Sequence, residues 1–220
     1  MPAKTTLVFA NVFVVAACAL VYELSTAALA SYVLGDAITE FSIVLGLYLA
    51  AMGVGAWLTR VVERRVTLAY LAIEIALAAI GGASSPLLFR LADASPRTGP
   101  VVYFAVFVIG LLVGFELPLL MRLLRGEDAL VERSLAWDNA GALFASLLFP
   151  IVLVPLLGLM RTSLVCGLAN AAVAASGTWV LRSELSDRAS NALRFASVVV
   201  AAGLIFGLVR APGWALAWAQ

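Results

Sequence analysis

Four carboxylic acids lie inside, or at the head of, long apolar stretches of this sequence, where a charge is costly. Glu23, Glu74 and Glu116 lie inside such stretches, and Asp138 begins another one, followed directly by Asn139. A charged group at the centre of a bilayer-length helix costs about 2.5–3.5 kcal/mol on insertion scales, so it usually faces a protein interior and often marks function. Buried carboxylates can hold a cation or an amine. We therefore predict that these five residues form a ligand-binding site.

The depth of each acid predicts which acids are neighbours. Glu74 lies eight residues from the start of its apolar stretch and Glu116 eight residues from the end of its own. Both are therefore about 12 Å deep, measured from the same side. If their helix faces converge, they form a pair in which one carboxyl is protonated, because burial and a nearby like charge both disfavour ionisation. Asp138 is expected nearer that surface, and Glu23 past the middle of its stretch.

Two prolines in apolar stretches predict helix breaks. Pro118 cannot donate a hydrogen bond to the Gly114 carbonyl, and Pro150 cannot donate one to the Ser146 carbonyl, so each tends to kink its helix. The free Gly114 carbonyl would lie close to Glu116 and could help to hold a cation, an amine or a water molecule. The alternative interpretation is purely structural: the acids form hydrogen bonds to neighbouring helices, and the prolines shape the bundle.

The composition is that of a polytopic membrane protein. Apolar residues make up 64% of the 220 residues, charged residues only 12%, and the mean hydropathy is +1.07, against about 45–50% and about 25% in ordinary globular domains. A net charge of +1 gives no basic field for nucleic acid. The sequence contains no histidine, which excludes His-ligated metal sites and Ser-His or Cys-His catalysis. We predict no metal site, no cofactor and no catalytic residue, and we expect Cys18 and Cys166 to be packing residues rather than a disulfide.

Seven apolar runs are long enough to cross a bilayer, for which about 20 residues suffice. They are residues 6–34, 38–59, 66–90, 100–124, 135–157, 160–181 and 193–210. Because lipid offers no hydrogen bonds, each run must be helical, which predicts an all-α bundle and a single transmembrane domain over residues 1–220. Ten Lys and Arg residues fall on the side of the N-terminus and four on the other side. The N-terminus is therefore predicted to be cytoplasmic, in a multi-pass protein of the inner (plasma) membrane.

Small residues predict where the helices approach one another. Gly110 and Gly114 share one face of the fourth run, and Gly46 and Gly53 share one face of the second. Gly141 lies one turn before Ala145 in the fifth run. Such notches allow close backbone contact in a setting where lipid provides no hydrophobic drive for association.

A series of motifs follows in order along the chain. They are Tyr22-Glu23-Leu24, residues 30–36, Phe41-Ser42, residues 46–49, residues 52–55, residues 114–122, and residues 138–141 with 146–150. Together they resemble the membrane domain of spermidine-synthase-like proteins, over about residues 7–181. In that family a multi-helix membrane domain commonly precedes a cytosolic polyamine aminopropyltransferase domain, which transfers an aminopropyl group from decarboxylated S-adenosylmethionine to putrescine.

The resemblance implies polyamine metabolism as the setting and leaves enzyme activity to a separate catalytic domain. The chain contains no Gly-rich nucleotide-binding turn after a strand, so we expect no complete active site in it. The expected partners are the lipid bilayer, a polyamine, and a synthase or another membrane subunit.

Three functions are compatible with the sequence. The first is a membrane module that binds or senses polyamines or anchors a synthase, since each ammonium would need a carboxylate or carbonyl partner. The second is a small proton-coupled transporter of amines or other small solutes, with a broken-helix site at Glu116 and Pro118. The third is an assembly subunit of a membrane complex that binds no small ligand.

Overall fold

The fold is a bundle of long helices. The computed structural model describes residues 3–94, 98–124 and 128–211, and these ranges contain helices and short links without a β-strand. The α-helices are α1 (Ala3–Leu34), α2 (Ala37–Leu58), α3 (Val66–Ala94), α4 (Gly99–Leu123), α5 (Asp128–Leu148), α6 (Val154–Val180) and α7 (Asp187–Arg210). The predicted all-α class is confirmed. Helices α5 and α7 begin earlier than predicted, because their polar first turns are helical but lie outside the apolar run.

The helices are long and apolar enough to cross a membrane. Six helical stretches in the described ranges meet that criterion by length and composition, and the longest, Leu130–Val180, has 51 residues. At 1.5 Å per residue such a stretch is about 75 Å long if straight, far more than the hydrocarbon core of about 30 Å. It must therefore bend, and the number of membrane crossings stays a prediction.

The long stretch reverses direction at Gly158. Trp137 of α5 stacks on Phe9 of α1, and a Cβ at Gly141 would meet the Phe13 backbone, so α5 runs parallel to α1. Helix α6 runs antiparallel to α1, because Asn11 Nδ2 donates to Ser176 Oγ at 3.1 Å while Cys18 Sγ donates to the Cys166 carbonyl at 3.6 Å. Both cysteines are buried and are not joined by a disulfide.

The backbone at the reversal requires glycine. Gly158 has φ 71° and ψ 169°, and it follows a π-helical segment, Phe149–Leu153. Thr162 Oγ1 donates to the Leu153 carbonyl at 3.3 Å, although residues this far apart in a straight helix would be about 13 Å apart. The chain therefore turns back on itself between α5 and the main part of α6.

Replacing Gly158 by alanine is expected to destabilise the fold by about 1–3 kcal/mol, because this region of φ and ψ is essentially reserved for glycine. A Cβ at Gly158 would meet no other atom within 4 Å, so the effect would come from the backbone alone. Gly203→Ala is the matched control, since Gly203 is helical and also has open space around it. Unfolding in a denaturing detergent measures both, and a Gly158→Ala protein as stable as Gly203→Ala would contradict the prediction.

A short cap joins α1 to α2. Gly35 has φ 95°, and its backbone N–H donates to the Ser31 carbonyl at 3.2 Å, which ends α1. Asp36 then accepts hydrogen bonds from the Thr39 backbone N–H and the Thr39 hydroxyl and starts α2. The backbone hydrogen bond from Thr39, followed by the hydroxyl bond, lowers the pKa of Asp36. The tight link fixes α1 and α2 as antiparallel neighbours.

Helices α2 and α4 form a closely packed parallel pair. Near one end the Tyr103 hydroxyl donates to Glu40 Oε2 at 2.6 Å, and near the other end Arg122 Nη1 donates to the Thr59 carbonyl at 2.9 Å. Each of these pairs is 63 residues apart in the sequence, so the two helices keep one register along their length. This parallel register brings the C-terminal half of α2 beside the stretch of α4 that holds Glu116.

Glycines make the approach of α2 and α4 possible. A Cβ at Gly114 would overlap the Met52 carbonyl oxygen, and one at Gly110 would lie 2.8 Å from the Tyr48 carbonyl oxygen. The predicted contact at Gly110 and Gly114 is confirmed. The expectation for Gly46 and Gly53 is wrong, because a Cβ at either would have no other atom within 4 Å.

Helix α1 lies at the centre of the bundle. It packs against α2, α5 and α6 and also touches α3 and α4. Its residues Tyr22 and Leu29 are fully buried, and a Cβ at Gly81 of α3 would lie 2.8 Å from the Tyr22 ring. The candidate site is therefore built around α1.

Candidate functional site

A cavity of about 170 Å³ lies between α1, α2, α4 and α5. Its lining residues are Ala16, Ala19, Leu20, Glu23, Tyr48, Met52, Val113, Glu116, Leu117, Asp138 and Ala142. A water molecule needs about 10–15 Å³ of such space, so the cavity has room for several waters or a slender organic ligand. Within the described residues, its walls are apolar apart from one tyrosine and three acids.

The cavity brings together three of the predicted site residues. Glu23 projects from α1, Glu116 from α4 and Asp138 from α5. The exposed fractions of Glu23 and Glu116 are only 8% and 6%, whereas Asp138 is half-buried. Neither Lys nor Arg is found in the described part of the lining. The cavity is therefore acidic, and a positively charged group is the complementary ligand.

The three acids are spread along the cavity. Trp137 stacks on Phe9, which places the neighbouring Asp138 level with the first turns of α1, and Glu23 lies about 20 Å further along that helix. The Tyr48 hydroxyl of α2 donates to the Ala19 carbonyl of α1, and Gly114 of α4 packs on Met52, so Glu116 is level with the part of α1 between Phe9 and Glu23. Glu116 therefore lies between the other two acids, and the arrangement suits an extended ligand with more than one positive charge.

Tyr48 completes the wall between Glu23 and Glu116 and is not among the site residues predicted from the sequence. Its side chain is 1% exposed, and its hydroxyl donates to the Ala19 carbonyl at 2.9 Å. This hydrogen bond joins α2 to α1 at the cavity and leaves the tyrosine oxygen able to accept one. The sequence does contain a sign of this role, because Tyr48 places a polar hydroxyl in the middle of the apolar run of α2.

Glu74 lies on α3 outside the cavity lining and is fully buried. Neither of its carboxyl oxygens has a hydrogen-bond partner among the described residues, although Tyr70 lies close by on the same helix. No hydrogen bond joins Glu74 to Glu116. Glu116 Oε1 is likewise buried without a partner in the described part of the chain. Such carboxyls are costly unless a proton, a water or a ligand satisfies them.

The other predicted site residues lie elsewhere. Asn139 is exposed, does not line the cavity, and donates from Nδ2 to the Leu135 carbonyl of its own helix at 2.8 Å. Pro118 is in α4 beside the cavity, and the helix continues through it to Leu123. Pro150 lies in the π-helical segment before the reversal at Gly158, outside the cavity.

The cavity is bounded unevenly. Helices α2 and α4 pack tightly together on one side, and α5 packs on α1. In the described ranges α5 has no extensive contact with α2 or α4. The lining between these helices includes the half-buried Met52, Leu117 and Ala142. A ligand could therefore approach from the side of the bundle, past the half-buried Asp138.

Similar proteins come from several bacteria. Over 205 residues the chain is 43% identical to a polyamine aminopropyltransferase of Leptospira interrogans, with 92% of this chain and 41% of the relative covered. It is 47% identical over 206 residues to polyamine aminopropyltransferase 2 of Ralstonia nicotianae, covering 89% and 40%. It is 40% identical over 219 residues to polyamine aminopropyltransferase 2 of Streptomyces coelicolor, covering 93% and 40%.

Other comparisons found no counterpart. No protein-family model and no solved structure matches the chain. The similarity to the relatives extends over about nine tenths of this chain. The chain, for its part, spans about two fifths of the length of the curated relatives it matches, all three of which are named polyamine aminopropyltransferase.

Proposed function

We propose that this chain is the membrane-spanning module of a spermidine-synthase-like protein and that it binds a polyamine in the acidic cavity. The observation that carries the proposal is the convergence of Glu23, Glu116 and Asp138 on one elongated cavity without a basic residue in its described lining. The names of the relatives support a polyamine as the ligand and an aminopropyltransferase as the enzyme served by the module.

The chemistry of a polyamine fits the cavity. A polyamine is a slender alkyl chain with ammonium groups at intervals, so it needs separated anionic partners and apolar contacts between them. Separated carboxyls are provided by the three acids, and apolar contacts by Ala16, Ala19 and Val113. A buried ammonium is stable only when it is paired and hydrogen-bonded. In this proposal the module holds a polyamine close to the membrane, where an aminopropyltransferase domain uses or releases it.

Insertion into the membrane is tested separately from ligand binding. The full chain, expressed in bacteria, is expected to stay with the membrane pellet after alkaline extraction and to be released by detergent. The long apolar stretches support this result, because water would have to cover their exposed apolar faces if the chain were not in lipid. Recovery of the folded protein in the aqueous fraction would contradict the membrane part of the proposal.

Polyamine binding is tested by titration calorimetry of the purified chain in a nonionic detergent. Putrescine and spermidine are expected to bind saturably, and Glu23→Gln is expected to weaken spermidine binding about tenfold or more, since a charge-assisted hydrogen bond is lost at a buried site. Glu63→Gln is the matched control, because Glu63 is exposed and outside the cavity lining. Absence of saturable binding in the folded parent chain would overturn the polyamine proposal and favour an anchoring or assembly subunit.

A further inference from the structure

A second and larger cavity lies apart from the acidic one and has no lining residue from α5. It is an apolar groove of about 650 Å³ formed mainly by α3 and α7. Its lining residues are Ala79, Ala83, Pro86, Leu87, Arg90, Leu164, Val200, Gly203, Leu204, Phe206, Gly207, Arg210 and Ala211. The volume is within the range of about 300–1,000 Å³ that is typical of small-molecule sites. None of the acids of the proposed polyamine site lines it.

Small residues create the groove. Ala79 and Ala83 line it from α3, and Gly203 and Gly207 line it from α7. A Cβ at Gly203 would have no other atom within 4 Å, so a side chain there would enter open space instead of meeting a neighbouring helix. By contrast, deeper in the α3–α6–α7 interface a Cβ at Gly82 would lie 2.9 Å from both Gly167 and Leu204. The groove is therefore an open feature along the outside of a tightly packed seam.

The groove has the length of one bilayer leaflet. It follows α3 from Ala79 to Arg90 and α7 from Val200 to Arg210, which is about 15 Å along each helix. It begins near the middle of both helices and reaches towards their carboxyl ends. The hydrocarbon core of a bilayer is about 30 Å thick, so one leaflet is about 15 Å. An acyl chain lying in the groove would run from the middle of the bilayer to its surface.

The charges lie at one end of the groove only. Arg90 and Arg210 are both exposed, and they come last among the lining residues of α3 and near the end of those of α7. The Arg210 guanidinium lies over the Phe206 ring, 5.0 Å from its centroid, which holds the side chain along the groove. The described lining contains no acid. Two guanidinium groups at the surface end match a phosphate group, which arginine recognises well.

We propose that the groove between α3 and α7 binds an anionic glycerophospholipid, with an acyl chain along the apolar wall and the phosphate at Arg90 and Arg210. Basic pockets between membrane helices recognise anionic headgroups in this way. The inference rests on the membrane insertion proposed above and is independent of polyamine binding. The predicted orientation places this lipid in the leaflet away from the cytoplasm.

The test is native mass spectrometry of the purified full chain in nonionic detergent with added phosphatidylglycerol or phosphatidylcholine. One phosphatidylglycerol molecule is expected to be retained in preference to phosphatidylcholine. Gly203→Leu is expected to reduce its retention at least tenfold, because its Cβ would meet no other atom within 4 Å and the rest of the side chain would occupy the groove. Gly53→Leu is the matched control, since Gly53 is a helical glycine with open space outside the groove. Arg210→Gln and Arg90→Gln are each expected to weaken retention about fivefold.

Several outcomes would overturn the inference. Equal retention of the two lipids, or full retention by Gly203→Leu, would exclude a specific site in the groove. Complete competition by inorganic phosphate would show an anion site that has no acyl-chain component. A dimer mass that disappears in Gly203→Leu without any lipid dependence would make a second copy of the chain the occupant. The alkaline extraction detects a failure of membrane insertion by itself, so that failure can be distinguished from a failure of lipid binding.

Discussion

Replacing Glu116 by glutamine is expected to weaken putrescine and spermidine binding on the order of 100-fold. Glu116 is nearly buried and lies between the other two acids of the cavity, so its charge is poorly screened by solvent. Glutamine keeps the shape of the side chain and removes the charge, which leaves a buried ammonium without its partner. Losses of this kind cost about 2–5 kcal/mol, and each 1.4 kcal/mol is a factor of about ten.

Titration calorimetry in detergent measures this loss of affinity, and two further variants are measured for comparison. Asp138→Asn is expected to cost only about tenfold, because Asp138 is half-buried and solvent screens its charge. Glu63→Gln, at an exposed position outside the cavity, is expected to leave the affinity unchanged. An unchanged dissociation constant in a folded Glu116→Gln protein would remove Glu116 from the site. An equal loss in Glu63→Gln would indicate a general effect of net charge.

The second large effect is expected at Gly55, where leucine should prevent folding of the bundle. A Cβ at this position would overlap the Leu111 carbonyl oxygen and lie 3.1 Å from the Cα atom of Gly114. The obstacle is backbone, which cannot rotate away as a side chain can, so α2 and α4 would have to separate. Inserting one or more carbons into a packed interface typically costs about 1–3 kcal/mol, and a whole leucine side chain against backbone exceeds that range.

Gly53→Leu provides the matched control two residues away on the same helix, where a new side chain would enter open space. Size-exclusion profiles and thermal unfolding in detergent distinguish the two proteins. Gly55→Leu is expected to give aggregated or unfolded material, and Gly53→Leu is expected to resemble the parent chain. Monodisperse Gly55→Leu with a parental unfolding temperature would show that α2 and α4 do not pack as described.

The contrast between Gly53 and Gly55 also shows what sequence spacing can predict. Spacing indicates which residues share a helix face, and for Gly110 and Gly114 that face does meet α2. It does not indicate which face of a helix turns towards a partner when small residues occur on two faces. Gly46 and Gly53 lie on the outer face of α2, whereas the unpredicted Gly55 lies on the inner one.

The candidate site was predictable to a similar degree. Apolar surroundings identified Glu23, Glu116 and Asp138, because a bilayer-length apolar run leaves few places for a carboxyl group. Depth alone placed Glu74 beside Glu116, but the lateral arrangement of α3 and α4 excludes Glu74 from the cavity lining. Asn139 is next to Asp138 in sequence but about 100° away around α5, so it faces outwards. Composition and depth do not show which faces of neighbouring helices pack together, and that packing decides which side chains line the cavity.

The central position of α1 has a consequence for biogenesis. Asn11 and Ser176 are 165 residues apart in the sequence, and their hydrogen bonds join the first part of α1 to α6. At about 5–20 residues per second, a ribosome needs on the order of 10–30 s to make the intervening chain. In a membrane, α1 would spend that time with the half-buried Asn11 side chain uncovered. The seam between α1 and α6 therefore closes only after α6 has been made, and a nascent chain halted before α6 leaves Asn11 without its partner and in need of a protecting insertion factor.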